Sequence, residues 1–234
     1  MGGWYGWRLV CVVALLALGC RVGLAQIGPR YVLDLPAARH GQRAPEQGSI
    51  ALEPDGRATI RVHGLTVALV GPDGGVGPSD LAVLSLQAGR LPVSRMSASV
   101  ARAVPLVYTE PPAAGWDVGP AGHPMRAWDT LYLRKGQARL RVTAMPGGPG
   151  TVATAGFMLE IGTFHATSRI YVSCAPLAAG ELAALPQRLP GAELVLAPAS
   201  DGQAMALLRR AGNQDLFVPV AAPGGRYPFA LLRR

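Results

Sequence analysis

The side chains able to do chemistry in this chain are few and far apart. Four histidines (His40, His63, His123 and His165) are dispersed along it with none of the short spacings that set two imidazoles on one metal ion. A divalent-metal site would have to be assembled from His63, His123 or His165 together with Asp117, Asp129 or Asp201. Cys174 is a candidate ligand or nucleophile, but no histidine or carboxylate flanks it, and an inert buried thiol is the plainer reading. No Gly-x-Ser-x-Gly elbow is present. Gly71-Pro72-Asp73-Gly74-Gly75 lacks the lysine and helix context of a phosphate loop, so it reads as a turn. Trp116, Trp128, Tyr132 and Phe157 either line an apolar pocket or simply pack a core.

The elements that must position these groups read mostly as short strands. Ala58–Val62 and Thr66–Val70 flank His63-Gly64-Leu65 as in a hairpin or tight bend. Leu81–Ser85 and Leu106–Tyr108 are apolar strands. Thr130–Leu133 with Arg139–Ala144, and Phe157–Ile161 with Arg169–Ser173, alternate apolar and polar residues as paired strands do. Helical spacing predicts helices over 93–103, Glu181–Leu185 and Ala204–Arg210, with strands at Glu193–Leu196 and Leu216–Val220. Residues 26–57 read as an extended lead-in and 58–234 as one domain.

Residues 1–25 carry an export signal. Arg8 precedes an apolar run from Leu9 to Leu18, which is too short to span a bilayer before Arg21 interrupts it. Gly23-Leu24-Ala25 suits cleavage before Gln26, giving a secreted or periplasmic protein. Alternatively, Leu16-Ala17-Leu18-Gly19-Cys20 resembles a lipobox, making Cys20 the candidate for lipidation and a membrane anchor. Cys174 is then the one thiol of the mature body, so no internal disulfide is expected.

Half of the 234 residues are hydrophobic and 15% charged, which argues against disorder, and 30 glycines with 21 prolines favour many tight turns. The net charge of +8 comes almost wholly from arginine. That bias reads first as codon composition, and otherwise as a basic surface for anionic lipid. The arginines are scattered, without interleaved aromatics, so no nucleic-acid partner is expected.

The order of segments resembles the metallo-β-lactamase superfamily, in particular the branch with the ascorbate-6-phosphate lactonase-like and N-acylphosphatidylethanolamine phospholipase D-like hydrolases. The phrases that carry it are Asp80-Leu81-Ala82-Val83-Leu84-Ser85, Trp128-Asp129-Thr130, Leu140 to Gly147, Gly156 to Glu160, Arg169 to Ser173, and Phe217-Val218-Pro219-Val220. The resemblance implies an α+β fold, a metallo-β-lactamase-like αββα sandwich whose two mixed sheets are covered by helices. It also implies zinc or another divalent metal, whose bound water becomes the nucleophile for phosphodiester, ester or lactone hydrolysis.

Matched residue by residue, the family's ligands are missing. Leu86, Ala88, Arg90 and Leu91 stand where its first metal motif has three histidines and an aspartate. Pro149 takes the place of another histidine, Ala175 that of the bridging aspartate, and Ala221 that of the last histidine. Aliphatic side chains donate no lone pair, and arginine stays cationic. The expectation is therefore an exported pseudoenzyme without metal cofactor, binding an unidentified small molecule or protein. In this vestigial site Arg90, Ser173 and Cys174 are the candidate ligand contacts.

Overall fold

A computed structural model describes residues 29–36, 47–70, 76–84, 104–109, 120–148, 153–199, 204–212, 216–221 and 224–233. The expectations placed on residues 1–25, His40, the 71–75 turn, residues 86–91, the helix over 93–103, Trp116, Asp117, Pro149 and Asp201 lie outside the described residues.

Two mixed sheets face each other. In the smaller one, β2 (Gln47–Leu52), β3 (Ala58–Val62) and β4 (Leu65–Leu69) form an antiparallel meander. It continues in parallel through β5 (Leu81–Val83), β6 (Leu106–Thr109) and β7 (Gly122–Met125). The strand nearest the carboxyl end of this sheet, β15 (Arg226–Ala230), closes its other edge against β2.

The larger sheet begins at β1 (Tyr31–Leu35), which lies parallel to β8 (Thr130–Lys135). Antiparallel pairing then runs through β9 (Ala138–Pro146), β10 (Thr154–Gly162) and β11 (Ala166–Ser173). After a helix, α1 (Ala179–Arg188), the chain returns as β12 (Leu194–Pro198) parallel to β11. The sheet ends in β13 (Met205–Arg210) and β14 (Phe217–Ala221), while β16 (Leu232–Arg233) adds two residues to β11.

Alternation explains which face is covered. In β9, Ala138, Leu140, Val142 and Ala144 are fully buried while Arg139 and Arg141 point away. The inward residues of both sheets, among them Ile50, Ile60, Val67, Leu81, Leu140, Phe157 and Leu196, make one continuous core. Each such side chain contributes on the order of 1.5–3 kcal/mol by leaving water. Gly48 makes room for a core ring. A Cβ on Gly48 would lie 2.2 Å from the ring of Phe229, its cross-strand partner, so the missing side chain is what lets that ring cover β2.

The helix-covered α+β sandwich expected from the resemblance does not form. Among the described residues there are sixteen strands and one helix, so the chain is mostly β. On the outer face of the larger sheet, α1 packs Leu185 and partly buried Leu182 against Tyr171, Val195 and Leu208. Within Ala204–Arg210, expected as a helix, Met205–Arg210 is strand β13: its Ala, Met, Leu and Arg favour helix in isolation, but two flanking strands supply ladder partners on both sides. Residues 31–35 and 47–52, in the segment expected as an extended lead-in, are strands within the two sheets.

Candidate functional site

Strand direction fixes where the matched positions end up. From β9 the chain reverses into β10 and again into β11, so Pro146 and Ser173 finish at the same end of the sandwich. β12 keeps the direction of β11, and two further reversals bring Ala221 to that end as well. In the smaller sheet β4 to β7 all point one way, and the Met125 carbonyl ending β7 accepts a bond from Thr154 Oγ1, at the start of β10, at 3.5 Å. Leu84, after β5, therefore belongs to this end too; Leu86, Ala88, Arg90 and Leu91 are outside the described residues. Ala175 and Ala221 share the end but stand three strands apart, roughly 14 Å at the usual interstrand spacing.

The groups around Ala175 are turned inward. Ser173 is buried, and its hydroxyl donates to the Ala175 carbonyl at 2.7 Å. Cys174 packs in the core, and its amide donates to the Ala155 carbonyl at 2.9 Å. Burial pushes the Cys174 thiol up to about 12, so it is neutral at physiological pH and a poor nucleophile or ligand there.

The three described histidines do not meet at the Ala175 end. His63 occupies the β3–β4 turn and His165 the β10–β11 turn, both at the opposite end from Ala175. His123 lies on β7, its ring 4.7 Å from that of Tyr31, and desolvation lowers its pKa and keeps it neutral. Asp129 is already engaged: its carboxylate accepts from the Arg30 guanidinium and from the Arg126 amide. Among the described residues no group of three His, Cys, Asp or Glu is placed to hold a metal ion. The described aromatic candidates are equally dispersed. Phe157 is in the core, Tyr132 lies on the other face beneath Arg141, and Trp128 is 67% exposed in a turn.

The structure instead opens a cavity of about 500 Å³ where β13 and β14 face β15 and β16. Its walls include Leu194, Leu207, Val220 and Phe229. Ser168, buried on β11, donates to Glu193 Oε2 at 2.5 Å within it. Arg209 and Arg210 also line it. None of these residues was a candidate site residue in the sequence. Read as a helix, 204–210 sends Leu207 and Arg209 to different sides; only on a strand do these alternate residues share one face. No protein-family model matches the chain, and no curated protein matches it in sequence.

Proposed function

We propose that this chain is an exported, metal-free relative of the metallo-β-lactamase-like hydrolases that acts by binding rather than by hydrolysis. The kinship rests on the order of sequence phrases and not on a helix-covered fold. One observation carries the loss of chemistry. Pro146 ending β9, Ser173 and the neutral buried thiol of Cys174 at the end of β11, and Ala221 ending β14 share one end of the sandwich, where a metal hydrolase needs imidazoles and carboxylates fixed about 2 Å from the ion. Without such ligands no bound water is acidified towards neutrality, and the nucleophile of the hydrolases has no source.

Elemental analysis of the purified protein after dialysis tests this reading. Zinc, iron and manganese are each expected well below stoichiometric; one or more ions retained per chain, with phosphodiester, ester or lactone hydrolysis that a chelator abolishes, would restore the active-hydrolase reading. Export is proposed on the first 25 residues, and amino-terminal sequencing of the mature protein separates its two forms. A start at Gln26 means a periplasmic or secreted protein, and a lipid-blocked Cys20 means an anchored one.

A further inference from the structure

We infer that the cavity between β13–β14 and β15–β16 is a binding site for a single-chain fatty carboxylate. Its size falls within the range of small-molecule sites. Its walls are the inward residues Leu194 and Leu207 of the larger sheet and Phe229 of the smaller, an apolar surface suited to a hydrocarbon chain. Val220 and Leu232 continue that surface to solvent, where they stand 37% and 50% exposed.

Charge selects the head group. Glu193 is the single carboxylate in the lining among the described residues, and one of its oxygens already accepts the Ser168 hydroxyl. Against it stand two guanidiniums. Arg210 donates to the Pro190 carbonyl at 2.7 Å, but the guanidinium of Arg209, exposed at the rim, has no hydrogen bond or ion pair among the described residues. A planar guanidinium offers a carboxylate two parallel N–H donors. A monoanion with one apolar tail would satisfy Arg209 while the tail covers Val220 and fills the space beside Phe229. A peptide strand is a poor occupant, because both nearby edges carry a proline, Pro219 in β14 and Pro228 in β15, which breaks the run of ladder donors.

Calorimetric titration of the mature protein with dodecanoate, and with dodecyltrimethylammonium as the charge-reversed control, tests the site. Dodecanoate is expected to bind one to one and to shift the methyl resonances of Leu194, Leu207 and Val220, with the control at least tenfold weaker. Arg209→Gln should weaken dodecanoate on the order of tenfold, the loss expected for one charge-assisted pair, and Val220→Trp should block it. Both positions are exposed, so these variants are expected to fold. Equal binding of the two amphiphiles, undiminished binding by both variants, or no binding at all would overturn the inference. The metal content of the protein is a separate readout, so failure here leaves the metal-free reading standing.

Discussion

Lys135, the only lysine in the chain, reaches from the end of β8 to Asp80 of the opposite sheet, its Nζ 2.9 and 2.8 Å from the two carboxylate oxygens. The same ammonium donates to the Gly64 carbonyl at 2.7 Å, and Asp80 Oδ2 accepts the Thr66 amide at 2.9 Å. One cluster thus ties the β8–β9 hairpin to the β3–β4 hairpin. Both charged side chains are less than one-fifth exposed, so solvent screens the pair only in part. Lys135→Met should therefore cost about 1–3 kcal/mol, chiefly because Asp80 keeps a partly buried charge without its partner. Adding Asp80→Asn should recover part of that loss. Denaturant unfolding of the two single variants and the double variant measures the coupling, and additive losses would show that the pair does not act as a unit.

Gly48 and Phe229 face each other across β2 and β15, and the ring occupies the space a side chain would take. Gly48→Ala is expected to lower stability by about 1–3 kcal/mol through overpacking. Phe229→Leu in the Gly48→Ala background should relieve much of it, since the shorter side chain can clear the new methyl. Thermal unfolding of the three proteins decides. An alanine at 48 that leaves the midpoint unchanged would mean that the ring moves aside without cost.

Strands whose residues alternate cleanly were legible in the sequence. Ala58–Val62 forms with the bounds the pattern gives, and the pairs around Lys135-Gly136 and before Ser173 form as longer versions of those expected. What failed was local preference against long-range pairing. Met205 to Arg210 has helix-forming side chains and no alternation clean enough to show that β12 and β14 would flank it. Gly122–Met125 and Arg226–Ala230 escaped notice because each contains a proline and few β-branched residues, yet edge strands tolerate both. The cavity was illegible for the same reason as β13: its lining comes from six separate strands and the residue before one of them, joined only by the fold.

Two buried groups make the fold less stable at alkaline pH. Burial pushes the Cys174 thiol from 9.0 to about 12, and burial, with the neighbouring Cys174, pushes the Tyr171 phenol from 10.0 to about 12. In both cases the unfolded chain releases its proton at lower pH than the folded one. Their contribution to stability is fully present below pH 9 and is lost as pH rises from there towards about 12. Between pH 9 and 10 Cys174 should dominate, so Cys174→Ala is expected to flatten the decline in that interval while lowering stability somewhat at every pH. Unfolding midpoints across pH 7 to 11 provide the check, and parallel curves for the two proteins would sink the assignment.

Trp128 adopts φ +74 in the turn between β7 and β8, a left-handed conformation that costs a non-glycine residue roughly 1–2 kcal/mol. Its side chain recovers little of this, being 67% exposed. The turn is held by other groups: the Trp128 amide donates to the Ala144 carbonyl at 2.7 Å, the Asp129 amide to the Arg126 carbonyl at 2.9 Å, and the Asp129 carboxylate accepts the Arg126 amide at 2.8 Å. None of these needs an indole. Trp128→Gly should relieve the strain, offset in part by the greater freedom of glycine in the unfolded chain, for a net gain of about 0.5–1 kcal/mol. For a domain of this size that is a rise of roughly 1–4 °C in the unfolding midpoint. Trp128→Ala keeps the Cβ and hence the strain, so it should show no such rise. If alanine stabilised the protein as much as glycine does, the effect would belong to removal of an exposed indole, and backbone strain at this turn would not be its cause.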